Sequence, residues 1–279
     1  MFNHSSHSNK MLAVFLGCAL AGSAGIGIAS SARAADAEAV TIDTNFTVYT
    51  PPVRLENPPG NAQASVILMT GGNGLLSLDG TGTIIDSTGN FLIRTANLFL
   101  QHGLNVMMAD VALAYPAPTG ITLSERLSSM HAGELQGFIN AAMTRWGKPV
   151  WVVGTSNGSV SAVTAGGFNP SLSGLRGVVL TSTVTQLSTT DQPTFNLYVS
   201  RITVPTLVVW NQDDHCTASP PSGSAAVFAA IPASTKASDV LQGGHSVATD
   251  PCGAFSEHGY AGTAREAVKD IAQFIKQTH

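Results

Sequence analysis

The sequence predicts an α/β protein built on a doubly wound, mostly parallel sheet flanked by helices, and three observations carry that expectation. Short apolar runs alternate with helical patterns in short steps, which is how a chain writes parallel strands joined by crossover helices. The runs at Ala64–Met69, Leu104–Ala109, Val150–Val153 and Thr206–Trp210 are apolar almost throughout, as strands covered on both faces require. Loops of Gly or polar residues follow Met69, Val153, Trp210 and Leu241, and the carboxyl ends of strands are where such sheets bind ligands.

Taken in order, Val40–Thr50 alternates apolar and polar residues and stops at Pro51-Pro52, which suits a peripheral edge strand. Ala64–Met69 is a buried strand that feeds Thr70-Gly71-Gly72-Asn73-Gly74, a loop that stays polar and Gly-rich to Asn90. Phe91–Gln101 reads as a helix stopped at Gly103, and Leu104–Ala109 as the next strand. A longer helix runs from Ser124 through Trp146 to Gly147, with Leu127, Met130, Leu135, Phe138, Ile139 and Ala142 on one stripe. Strands follow at Val150–Val153, Gly177–Thr183, Thr206–Trp210 and Asp239–Leu241, with helices over Ser159–Ala165, Ala225–Ala230 and Thr263–Gln277. Residues 184–205, between two of these strands, leave no room for a large cap domain.

The chain of 279 residues is long enough for a sizeable core and shows no internal linker, so residues 36–279 are expected to form one domain. Residues 1–35 differ. A polar start with Lys10, an apolar run from Met11 to Ala29 and then Ala32-Arg33-Ala34 have the layout of a secretory signal with its cleavage site. Export to the periplasm or beyond the cell is therefore expected, in preference to a retained membrane helix. Cleavage removes Lys10, Arg33 and no acid, which leaves 11 of the 13 basic residues against all 17 acidic ones. This acidic balance, with no basic run, excludes nucleic acid as an expected partner. Cys216 and Cys252 also remain. In an exported chain such a pair is most simply a disulfide, and the Cys-x-x-Cys spacing of a zinc site is absent.

One stretch carries chemistry. Val150–Val153 ends abruptly at Gly154-Thr155-Ser156-Asn157-Gly158, a G-x-S-x-G placed between a strand and a helix. Glycines there permit a tight turn that leaves the serine hydroxyl on an exposed tip. A serine is a poor nucleophile at neutral pH. It needs an imidazole to take its proton, a carboxylate to orient that imidazole, and fixed donors for the oxyanion that forms.

With the glycine loop at Gly71–Gly74, the turn at Ser156, acids after Trp210 and histidines after Leu241, residues 40–279 resemble an α/β-hydrolase, whose triad follows the order Ser, acid, His. The resemblance implies Ser156 as nucleophile, and backbone N–H groups of Asn157 and of Gly72 or Asn73 as the oxyanion hole. The family's acid commonly lies four residues beyond the strand's last apolar position, which selects Asp214 over Asp213. Two histidines compete for the base. His245, in Gly243-Gly244-His245, follows the last strand directly; His258, in Glu257-His258-Gly259-Tyr260, sits just before the final helix. A similarity to exported bacterial hydrolase-like proteins with a His-Gly-Tyr favours His258. A bridge from Cys216 to Cys252 would tie the acid's loop to the histidine's.

The resemblance implies an exported serine hydrolase, a carboxylesterase acting on short acyl esters or on the surface of a polymeric ester. The alternative is a binding protein of the cell envelope that keeps the fold without the catalysis. No metal is expected, because His4, His7, His102, His131 and His279 lack ligand spacing with a nearby acid. No cofactor is expected either: Gly72-Asn73-Gly74 is followed by Ser77 where a dinucleotide fingerprint has its last glycine.

Overall fold

A computed structural model describes residues 61–79, 83–112, 115–168 and 172–278, and the backbone of two short strands, β1 (Glu38–Ala39) and β2 (Val53–Leu55). The expected export signal and the expected strand at Val40–Thr50 lie outside the described residues. The elements that follow are β3 (Ala64–Met69), α1 (Phe91–Arg94), α2 (Ala96–Gln101), β4 (Leu104–Ala109), α3 (Leu123–Arg126), α4 (Ser129–Trp146), β5 (Val150–Thr155) and α5 (Asn157–Gly167). After these come β6 (Leu175–Thr181), α6 (Gln192–Val199), β7 (Thr206–Asn211), α7 (Pro221–Ala230), β8 (Lys236–Leu241) and α8 (Ala264–Gln277).

The strands form one sheet in the order β1-β2-β4-β3-β5-β6-β7-β8. From β3 to β8 all neighbours are parallel, and β1 and β2 add an antiparallel edge beside β4. The chain steps from β3 outward to β4 and then returns to the other side of β3 as β5, so the order reverses there. That reversal opens a crevice at the carboxyl ends of β3 and β5. Met69 pairs with Gly154 across it, which places the glycine loop beside the G-x-S-x-G turn.

Alternation along the strands builds a core on each face of the sheet. Ile67, Met69, Val150 and Val152 pack with Leu135, Phe138 and Ile139 of α4, Val160 and Val163 of α5, Phe195 of α6 and Val227 of α7. Val66, Leu68, Trp151 and Val153 pack with Phe91, Leu92 and Phe99 of α1 and α2 and with Val268, Ile271 and Ile275 of α8. Helix α5 is buried from Gly158 to Gly167, which its small residues allow. A Cβ on Gly167 would collide with the Tyr198 carbonyl of α6.

Two expected helices are each divided. Phe91–Gln101 breaks at Thr95, whose hydroxyl donates to the Phe91 carbonyl at 2.6 Å, a local bond that competes with the helical ladder. The long helix breaks at Leu127–Ser128. Thr122 and Glu125 form a capping box on α3, and Ser128 accepts from the His131 N–H to start α4 afresh. Gly147 closes α4 at φ 58°, a left-handed conformation that costs glycine nothing. The connection over 184–205 holds one helix of 8 residues, α6. Among the described residues no helix is long and apolar enough to cross a membrane.

Candidate active site

Ser156 stands between β5 and α5 at φ 52° and ψ −128°, a strained conformation for any residue with a Cβ. Its glycine neighbours explain how the chain accommodates it. A Cβ on Gly154 would strike the Gly158 carbonyl, and one on Gly158 would strike the Met69 carbonyl. Larger residues at either position would push the turn off β3 and open it. The Ser156 N–H donates to the Thr181 carbonyl at 3.0 Å, which ties the turn to the end of β6.

The glycine loop lies against this turn. A Cβ on Gly71 would come 2.9 Å from the Ser156 Cβ, so only glycine lets the two backbones approach so closely. Asn157 is the first residue of α5, where a backbone N–H has no intrahelical acceptor. Its side-chain Nδ2 donates to the Gly72 carbonyl at 2.9 Å and joins the elbow to the loop. Gly72 is at φ +59°. Asn73 is held by its Nδ2, which donates to the Pro118 carbonyl, and by its own carbonyl, which accepts from the Ile121 N–H, both at 2.9 Å.

Asp214 is buried in the loop after β7. Its Oδ1 accepts from the Cys216 N–H at 2.8 Å, and its Oδ2 lies 2.9 Å from His258 Nδ1. His258 is only 4% exposed, and its Nε2 is buried with no hydrogen-bond partner. The structure therefore brings His258, and not His245, against Asp214. His245 is exposed, with its backbone N–H donating to the Ala261 carbonyl. Asp213 is exposed as well and accepts from the Gly243 N–H at 2.7 Å, a brace between the two loops.

The His-Gly-Tyr stretch is held from several sides. The Tyr260 hydroxyl is buried, donates to the Val209 carbonyl at 2.9 Å and accepts from the Ser182 N–H at 3.0 Å. Burial pushes its pKa up, so it stays a donor. The Ser182 hydroxyl donates to the His258 carbonyl at 2.7 Å. Thr181 and Ser182 thus hold the backbones of Ser156 and His258 from adjacent positions at the end of β6. Gly259 has no room for a Cβ, which would collide with the Ala254 carbonyl. Arg94 of α1 donates to the carbonyls of Gly89, Ala254 and Gly259.

A disulfide joins Cys216 to Cys252 across 36 positions, worth roughly 4 kcal/mol in the chain-entropy model. It links the loop of Asp214 to the loop that leads to His258. Asp214, Cys216 and His258 place ligand-type atoms within 4.8 Å of one another. With the Cys216 sulfur in the bridge, however, that set offers a metal no thiolate.

Solved structures share this arrangement of sheet and helices. The chain aligns with an esterase of Pyrococcus furiosus at a TM-score of 0.61 and 13% identity, over 87% of this chain and 90% of that one. The fold is that of the α/β-hydrolases. A soluble variant of the monoglyceride lipase of Saccharomyces cerevisiae, in complex with a substrate analogue, aligns at 0.60 and 11% identity over 89% and 97%. Est1E of Butyrivibrio proteoclasticus with ferulic acid bound aligns at 0.60 and 13% identity over 86% and 99%. No family model matches the sequence, and no curated protein does.

Within this α/β-hydrolase fold, sequence reasoning missed a second polar side chain, besides Asp214, next to His258. Ser219 is buried, with its Oγ 2.9 Å from His258 Nδ1 and 3.4 Å from Asp214 Oδ2. It lies in a Ser- and Pro-rich stretch before α7, where nothing in the pattern marks one serine above the rest. Ser219→Ala removes the contact to His258 Nδ1 and the long one to the Asp214 carboxylate, and a side-chain hydrogen bond is typically worth about 0.5–1.5 kcal/mol net. The expected result is a fall in kcat/KM of about 2- to 10-fold with the fold intact, read from a pH–rate profile on a chromogenic ester.

Proposed function

We propose that this protein is an exported serine hydrolase that cleaves carboxylic esters through an acyl-enzyme on Ser156. The observation that carries the reading is the buried Asp214–His258 pair, whose free Nε2 belongs to a histidine anchored next to the elbow that presents Ser156. In the proposed reaction His258 Nε2 takes the Ser156 proton as Oγ attacks the ester carbonyl, and Asp214 holds the Nδ1–H tautomer and stabilises the imidazolium. The Asn157 N–H, with one from Gly72 or Asn73, receives the oxyanion. His258 then protonates the leaving alcohol. Water then attacks the acyl carbon as His258 takes its proton, and that proton passes to Ser156 Oγ as the acyl–serine bond breaks, releasing the acid and restoring the free serine. A hydrogen bond from the Ser156 hydroxyl to Nε2, which has no partner in the free protein, is expected to form when substrate binds.

Short acyl esters, or esters at the surface of a polymer, suit this site best. Ser156 and Asn157 are partly exposed, Gly72 and Asn73 are exposed, and the short α6 is the one helix between β6 and β7. That the aligned structures are esterases and a lipase supports ester hydrolysis as the chemistry. Export is supported by the apolar run from Met11 to Ala29 and by a disulfide, which an oxidising compartment preserves.

The test is a panel of chromogenic esters of graded acyl length combined with a fluorophosphonate probe. Turnover of the short esters and a probe adduct mapped by mass spectrometry to the peptide containing Ser156 are expected. Turnover with the adduct elsewhere, or no turnover at any length, overturns the reading.

A further inference from the structure

Beneath the glycine loop runs a chain of four side chains that the proposed reaction does not use. Arg126, His131, Glu134 and Ser161 are between 0% and 3% exposed. Arg126 Nη1 donates to Ser161 Oγ at 2.8 Å, Ser161 Oγ lies 2.8 Å from His131 Nε2, and His131 Nδ1 lies 2.7 Å from Glu134 Oε2. Directions follow from the two ends. Arginine only donates and an ionised glutamate only accepts, so the Ser161 proton goes to Nε2 and the ring's own proton, on Nδ1, goes to Glu134. Burial lowers the His131 pKa against the raising effect of Glu134, which agrees with a neutral ring. Burial also lowers that of Arg126 to about 10, opposed by Glu134, so the guanidinium is still charged at neutral pH.

Ser161, His131 and Glu134 have the spacing of a Ser–His–acid triad, but sealed from substrate and with Arg126 on the serine oxygen they serve as an anchor instead. The free end of the anchor is Arg126 Nη2, which donates to the Thr70 carbonyl at 3.3 Å and the Gly72 carbonyl at 3.5 Å. In a trans peptide the carbonyl and the following N–H point in opposite directions. Holding these two carbonyls sets the N–H groups of Gly71 and Asn73. The peptide between them is set by the Gly71 carbonyl, which accepts from the Gly74 N–H at 3.2 Å. Gly74 also makes room for the arginine, since a Cβ there would lie 2.8 Å from Nη2. Thr70, Gly74, Arg126, His131 and Glu134 line a cavity of about 10 Å³, room for one water. Buried charges such as Arg126 and Glu134, joined only through neutral Ser161 and His131, are weak as stabilisers, whereas a donor array held rigid before the reaction accelerates it.

We propose that Arg126, anchored through Ser161 and His131 to Glu134, is a positioning residue that preorganises the glycine loop for the oxyanion. This rests on the ester-hydrolase reading. The experiment compares the full chain with its Arg126→Met, Arg126→Lys and Ser161→Ala variants, each checked for folding by thermal unfolding. The readouts are kcat and KM on a short chromogenic ester and the affinity of a trifluoromethyl ketone, whose serine adduct carries an oxyanion. Arg126→Met is expected to lower kcat about 10- to 100-fold with KM nearly unchanged, and to weaken the ketone in parallel. Arg126→Lys is expected to restore part of both. Ser161→Ala, which removes a single buried hydroxyl, covers the case in which Arg126→Met fails to fold, with a loss of about 3- to 10-fold in both readouts. Folded variants with unchanged kcat, or with a lower kcat and undiminished ketone affinity, overturn the positioning role alone. A wild type inert on every ester overturns both readings.

Discussion

Ser156→Ala is expected to lower kcat on a short-chain ester by about 10⁶-fold and to abolish fluorophosphonate labelling. The size follows from the chemistry, since removal of the nucleophile leaves only substrate binding and the oxyanion donors. Those retain about 10³–10⁴ over the rate in water. The fold should be undisturbed. Ser156 sits at φ 52°, alanine keeps the Cβ that strains this conformation, and no packed core side chain is lost, so the variant's thermal midpoint should match that of the wild type. Retained labelling in a folded Ser156→Ala protein sinks the assignment of the nucleophile.

The second large effect separates the two histidines. His258→Ala is expected to cost nearly as much as loss of the serine, because base and nucleophile act as one unit. It also strips Asp214 of the imidazole at 2.9 Å, leaving a buried carboxylate with only the Cys216 N–H and Ser219 hydroxyl, so some stability is lost as well. His245→Ala removes an exposed side chain, and activity should stay within about twofold. Steady-state kinetics on both variants decide the matter. A deep loss in His245→Ala with His258→Ala near wild type would reverse the assignment and require the loop after β8 to rearrange.

The disulfide, Tyr260 and Arg94 hold in place the His258 loop, which has little regular structure and carries the base proposed above. Three attachments reach it from separate elements: the Asp214 loop through Cys216, the ends of β6 and β7 through Ser182 and Val209, and α1 through Arg94. A loop carrying a general base has to be held to within a fraction of an ångström, and its own backbone cannot do that alone.

The order of strands and helices was legible in the sequence because it rests on local signals. Apolar runs of strand length, helical stripes and terminal glycines are each written within a few residues. The G-x-S-x-G turn was legible for the same reason, since close backbone contacts at Gly154 and Gly158 exclude every larger residue. Helix breaks at Thr95 and Ser128 were missed, because a side chain that bonds its own backbone inside an apolar stripe leaves the periodicity intact. Helix α6 was missed too, in a stretch whose polar residues hide the buried face of Phe195, Tyr198 and Val199.

What the sequence by itself determined, then, is the α/β architecture and the serine turn, both products of short-range sterics and periodicity. Only the tertiary structure decided which histidine meets Asp214, that Ser219 stands with them, and that Arg126 reaches from α3 to the glycine loop. Those contacts join residues 5 to 56 positions apart, and the longest of them depend on how β3, β7 and their loops are brought together by the sheet. Both histidines follow β8 within a few turns of chain. The choice between them falls to the packing of Tyr260 under the sheet's end, a long-range fact that no local pattern encodes.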